Sequence, residues 1–127
     1  MKSAIIEKQY QLSFNEVYQK LRDAIVSSEF LLLHEIDTQS IVSKHNVVIK
    51  PLRQLLFFHP KYIKIIVEND ALAINEIPIK LVIREIDNSK VSVSCPNPTI
   101  NLSDYNLDKK MAEELLQNIN RIFDTVS

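Results

Sequence analysis

The chain has 127 residues, a formal net charge of -1 from 15 basic and 16 acidic side chains, 46% hydrophobic residues and no glycine. That length suits a single domain, 1–127, able to bury a real core, and the charge balance gives no general attraction to nucleic acid or to an anionic membrane. Roughly nine glycines would be expected at the usual share of about 7%; without them the chain cannot carry the Gly-rich phosphate loop or the dinucleotide fingerprint, which need bare backbone at fixed positions.

Residues 4–12 read as a strand, with Ile6, Tyr10 and Leu12 alternating against Glu7, Gln9 and Gln11. Ser13-Phe14-Asn15-Glu16 then fits a capping box, in which Ser13 accepts from the Glu16 amide and the Glu16 carboxylate reaches back. A first helix follows, its stripe Phe14, Val17, Tyr18, Leu21 and Ile25 set at spacings of three and four. Residues 30–36 form a second, almost wholly apolar strand. Asp37-Thr38-Gln39-Ser40 breaks it, and a short helical piece passes through Ile41 and Val42. Residues 45–51 read either as an edge strand around Val47-Val48-Ile49 or as a packed loop.

Residues 52–59 are another strand. Pro60 suits the first turn of a helix, where its missing amide is not needed, and Ile63, Ile66 and Val67 supply that helix's apolar stripe. Residues 77–86 give the longest strand signal. Asp87-Asn88-Ser89-Lys90 turns the chain, because these side chains bond their own backbone and Asn tolerates positive φ. Residues 91–95 complete a hairpin, which Pro96 and Pro98 stop. A C-terminal helix starts near Asn106 and carries Leu107, Met111, Leu115, Ile119, Ile122, Phe123 and Val126 on one stripe, with Asp108 where the helix dipole favours negative charge. The order β-α-β, a few short pieces, β-α, a β-hairpin and a long α predicts an α+β two-layer sandwich: a mostly antiparallel sheet with helices packed on one face.

Four stretches carry a family likeness. They are Leu12-Ser13-Phe14-Asn15-Glu16-Val17, Phe30-Leu31-Leu32-Leu33-His34-Glu35-Ile36-Asp37, Leu55-Leu56-Phe57-Phe58-His59-Pro60, and Ile77-Pro78-Ile79-Lys80-Leu81-Val82-Ile83. In this order the chain resembles the domain of unknown function 302 family. The resemblance implies a compact α+β domain of roughly β-α-β(4)-α plan, here with an extra short helix after Pro60, that commonly self-associates, and it implies no activity. Where that family prefers glycine, this chain has Glu29, Phe58 and Asn88-Ser89. The family's Gly-Asn-Pro turn stands here as Phe58-His59-Pro60.

Strand residues alternate between faces. By strict alternation Phe30, Leu32, His34 and Ile36 oppose Leu31, Leu33 and Glu35; Arg53, Leu55, Phe57 and His59 oppose Gln54, Leu56 and Phe58; and Ile77, Ile79, Leu81 and Ile83 oppose Lys80, Val82 and Arg84. Large apolar groups fall on both faces, and a two-layer fold covers only one. Leu31, Leu33, Leu56, Phe58 and Val82 are therefore candidates for contact with a cover. A second subunit, an apolar ligand or the segment 41–49 could supply it.

Chemistry-bearing residues are few. Cys95, the single cysteine, excludes an internal disulfide framework and falls in phase with Val91 and Val93, as a buried small hydrophobe would. His34, Glu35, Asp37 and His45 do not converge as zinc ligands must, and His34 reads as a hydrogen-bonded, partly buried histidine. His59, at a strand end beside the Pro60 helix start, heads a candidate ligand site with Arg53, Pro60 and Phe58, where an anion could also meet the helix's first amides. No catalytic residue, metal or cofactor is assigned. The residues point to a small cytoplasmic, non-enzymatic module, a homodimer in the favoured form, that binds an apolar or weakly anionic ligand. The alternatives are a hydrolase using His59 with Glu85 or Asp87, and a structural subunit of a larger complex. The start of the chain lacks a secretory apolar stretch, and no run reaches the ~20 apolar residues of a membrane helix.

Overall fold

In the computed structural model, which describes residues 4–126, the chain runs β1 (Ile5–Tyr10), α1 (Phe14–Ser27), β2 (Leu31–Asp37), α2 (Thr38–Ser43), β3 (Leu52–Phe58), α3 (Lys61–Asp70), a 3₁₀ segment (Ala71–Glu76), β4 (Ile79–Asp87), β5 (Lys90–Pro96), α4 (Pro98–Asn101) and α5 (Lys109–Asp124). The strands pair antiparallel in the order β1-β5-β4-β3-β2. This is the expected α+β architecture. β1 and β2, consecutive in the chain, lie at opposite edges, so α1 must travel across the sheet to join them. It does so on its apolar stripe: Phe14, Val17, Leu21 and Ile25 are all buried. Ser13 caps it, accepting from the Glu16 amide at 3.2 Å, while its hydroxyl donates to the Glu16 carboxylate at 3.1 Å. A cap of this kind contributes about 1 kcal/mol.

α5 packs on the same sheet face through Met111, Ala112, Leu115, Ile119, Ile122 and Phe123. Beneath the two helices the register brings Leu55 beside Leu81, Ile83 beside Val93, and Val91 beside Tyr10, all buried. α5 begins at Lys109 rather than near Asn106, because Asp108 is its N-cap and accepts from the Lys110 amide at 2.9 Å. In α3 the buried stripe is Tyr62 and Ile66; Ile63 and Val67 face out, 40% and 52% exposed. Among the described residues the only positive φ belongs to Asn46 (φ 63), a residue type that tolerates this region. The hairpin turn at Asn88 uses no positive φ; the Asp87 carboxylate accepts from the Ser89 amide instead. Val47-Val48-Ile49 forms no strand.

Two expectations about the sheet faces are corrected. First, β2 is bulged. Leu32 pairs with Phe57 but His34 pairs with Leu56, so Leu33 is an extra residue that inverts the alternation. His34 and Ile36 join Leu31 on the outer face, while Leu32, Glu35 and Asp37 face the helices. His34 is exposed, not partly buried. Second, the outer face is not apolar throughout. Gln54, Lys80, Arg84, Ser92, Ser94, Glu7 and Gln9 occupy most of it, and Ser92 donates to Glu7, 3.9 Å from Arg84. Its apolar part is a corner at β2 and β3. There Leu31 and Leu33 are 51% and 53% exposed, and Leu56 is half-buried. Phe58 needs no outside cover, being buried against Tyr62 at a ring separation of 5.8 Å. Val82 is half-buried between Gln54 and Ser94. The segment 41–49 leaves this corner open, and Val48 within it is 94% exposed. Among the described residues no helix is long and apolar enough to cross a membrane.

Candidate functional site

The end of α1, the start of β2, the end of β3 and the last turns of α5 meet around one cleft. Its volume is about 480 Å³, and Ala24, Ser27, Ser28, Glu29, Phe30, His59, Asn118, Arg121, Ile122 and Thr125 line it. That lies inside the ~300–1,000 Å³ range of small-molecule sites. Phe57 points to the helix side of β3, so His59, two residues on, does too. Phe30, just before β2, packs edge-on to Phe57 at 5.0 Å and forms an apolar floor.

His59 is held from both sides. Its Nδ1 accepts from the Lys61 amide at 3.1 Å, which places the ring proton on Nε2, and Nε2 stands 3.7 Å from the Glu29 carboxylate. The ring also meets Phe30 and Tyr62 edge-on at 6.5 and 5.9 Å. The acidic neighbour is thus Glu29. Glu85 and Asp87 lie toward the opposite end of β4 from Ile79, which pairs with Phe57.

Of the residues expected beside His59, the structure brings none into the cleft as a polar partner. Arg53 shares its sheet face but lies six residues away, about 20 Å along an extended strand. Its guanidinium bonds Asp37 at 3.2 Å and stacks over the Tyr18 ring at 4.3 Å. Glu35, turned inward by the bulge, accepts from the Tyr18 hydroxyl and from Arg22 Nε. Phe58 is core, and exposed Pro60 opens α3. Arg121, Asn118 and Glu29 line the cleft although no motif in the sequence marks them as ligand residues. Arg121 and Asn118 flank the stripe of α5 rather than lying on it, and that flanking position is the one signal in the sequence that points to them.

Beside the cleft, Tyr62 donates to Glu114, and Lys61 Nζ lies 3.0 Å from the same carboxylate. Tyr62's bond and Lys61 hold the Glu114 carboxyl below its usual range. Burial, then the Glu114 contact, pushes the Tyr62 phenol up to about 12. Burial, then Asp124, does the same for Tyr10, whose hydroxyl donates to the Phe123 carbonyl. Burial alone pushes the Cys95 thiol from 9.0 up to about 12, which leaves it inert as a nucleophile. All three groups hold their protons more tightly folded than unfolded. The associated stability is complete below the unfolded pKa values and is lost as pH rises toward the folded ones. The urea midpoint is therefore expected to fall steadily from about pH 9 to pH 12, and Cys95→Ala to flatten the first part of that fall. A midpoint unchanged up to pH 12 would contradict this.

Among the described residues no group of three or more His, Cys, Asp or Glu could hold a metal ion. The family described as Domain of unknown function DUF302 matches residues 6–126. Among solved structures, the uncharacterized conserved protein DUF302 from Bacillus stearothermophilus superimposes with a TM-score of 0.85 at 17% identity, over 98% of this chain and 99% of that one. At that identity the likeness is one of fold. No curated protein matches the chain.

Proposed function

This chain belongs to the DUF302 family, and from that premise we propose that it works as a small cytoplasmic binding module rather than as an enzyme. The observation that carries the reading is the cleft: a concave site where the ends of α1, β3 and α5 meet the start of β2, with an apolar floor and a few convergent polar groups. The state of His59 favours binding over catalysis. A general base needs a ring nitrogen facing the proton it takes, but Nδ1 is engaged by the Lys61 amide and Nε2–H faces Glu29. Cys95 is sealed in the core.

A second reading, self-association, rests on the half-exposed Leu31 and Leu33 at the edge strand β2. An unpaired strand edge carrying exposed leucines is a ready pairing surface. Native mass spectrometry of protein purified from its own host tests both readings. A dimer carrying a retained small molecule is expected. A bare monomer, from host material and after incubation with host metabolites, would overturn both.

A further inference from the structure

Resting on the binding-module reading, we propose that the cleft takes a small zwitterion with an apolar body, an amino-acid-like ligand whose carboxylate meets Arg121 and whose ammonium meets Glu29. The cleft holds both signs of charge without pairing them to each other. Arg121 Nη1 donates to the Asn118 amide oxygen at 3.0 Å, a neutral partner on its own helix, and none of the ion pairs among the described residues includes Arg121. On another wall the Glu29 carboxylate is 85% exposed, with His59 Nε2 as its neighbour at 3.7 Å.

The negative wall is reinforced by backbone. α1 ends in the cleft with no basic residue in its last turn, so the helix dipole adds partial negative charge there, although the Ala24 and Ile25 carbonyls already accept from the Ser27 and Ser28 hydroxyls. A purely anionic ligand would meet Arg121 favourably but would be repelled by Glu29. A purely cationic one would meet the reverse conflict at Arg121. A molecule bearing both charges satisfies both walls, because Arg121 and Glu29 line one cleft without pairing with each other. Guanidinium is suited to a carboxylate, which it can grip with two parallel N–H donors. Between the poles lie Phe30, Ile122 and Ala24, with Phe30 and Ile122 only 5% and 3% exposed. They present a narrow apolar strip to a hydrocarbon side chain.

Backbone amide shifts of the native protein, followed by NMR during titration with L-leucine, L-phenylalanine, 4-methylpentanoate, 3-methylbutylamine and inorganic phosphate, test this. The two amino acids are expected to shift Phe30, His59 and Arg121, and to bind at least about tenfold more tightly than the single-charge compounds, about 1.4 kcal/mol. Arg121→Gln and Glu29→Gln should each weaken leucine at least about tenfold. Arg121→Gln should leave the amine unaffected, and Glu29→Gln should not weaken the carboxylate. Lys64→Gln, on the exposed side of α3, should change nothing. Both cleft substitutions replace exposed side chains, so unchanged spectra elsewhere will show that the variants fold. If a single-charge compound binds this cleft as tightly as leucine, the zwitterion assignment fails and the binding-module reading stands. If neither this panel nor a broad metabolite library shifts a cleft resonance, both fail.

Discussion

Phe57→Ala is expected to lower the unfolding free energy by about 3–5 kcal/mol, the usual cost of truncating a fully buried phenylalanine. Phe57 is 0% exposed on β3, between β4 and β2, and paired with Ile79 and Leu32. Its ring supports Phe30 edge-on at 5.0 Å, so the cavity would open directly beneath the floor of the cleft. Single domains have only about 5–15 kcal/mol of net stability; the loss is a large fraction of it. Urea unfolding should show a reduced midpoint with an unchanged slope. Phe57→Leu keeps most of the volume and should cost less than about 1.5 kcal/mol. In the native baseline, Phe57→Ala should also shift the His59 and Phe30 resonances. A penalty no greater than that of Phe57→Leu would show that the neighbouring side chains collapse into the space and that the floor is not rigid.

Elements decided by neighbouring residues stand in the structure where the sequence places them. The Ser13 cap and the Phe14-Val17-Leu21-Ile25 stripe are decided by spacings of three and four within one helix. The Pro60 helix start and the hairpin around Asn88 are likewise properties of adjacent residues. The bulge at Leu33 had no such signal. In Leu31-Leu32-Leu33-His34 every position is apolar or nearly so, and no polar residue falls out of phase to betray the extra one. Yet the bulge decides where Glu35 and Asp37 point, and hence that they engage Tyr18, Arg22 and Arg53. The outer face differs from expectation for a related reason: alternation within one strand does not show its neighbours, and the pairing sets Gln54 beside Val82, Val82 beside Ser94, and Leu56 beside Lys80, mixing polar groups among the apolar ones.

One residue lining the candidate cleft, His59, was legible in the sequence. His59 could be picked out because a strand end and a helix start flank it. Its partners come from α5 and from the residue before Phe30, and no local pattern sets how those elements dock. Arg53 shows the complementary error. Parity along β3 correctly put it on the face of His59, but sharing a face is not proximity, and six residues of strand separate them. The arginine that does reach the cleft, Arg121, is 62 positions away in sequence (121 − 59).

Leu31→Lys combined with Leu33→Lys is expected to convert a self-associated protein into a monomer, raising the dimer dissociation constant by about a hundredfold or more. Both leucines lie on the edge strand and are about half exposed, 51% and 53%. Burying a whole leucine is worth about 1.5–3 kcal/mol, so covering the exposed half gives roughly 1 kcal/mol each. In a two-fold contact the same residues enter from both copies, and four such contributions make roughly 3–4 kcal/mol. That corresponds to a few hundredfold in affinity, before the cost of pressing ammonium groups into an apolar contact. Lysine is also the residue natural edge strands use to resist pairing. The double variant should stay folded, because neither side chain belongs to the buried core. Sedimentation velocity across a concentration series reads the outcome. Ile63→Lys, on the exposed side of α3 and 40% exposed in the native chain, should leave the association constant unchanged. If Ile63→Lys separates the copies and the leucine pair does not, the contact runs through α3 and the β2 edge is free.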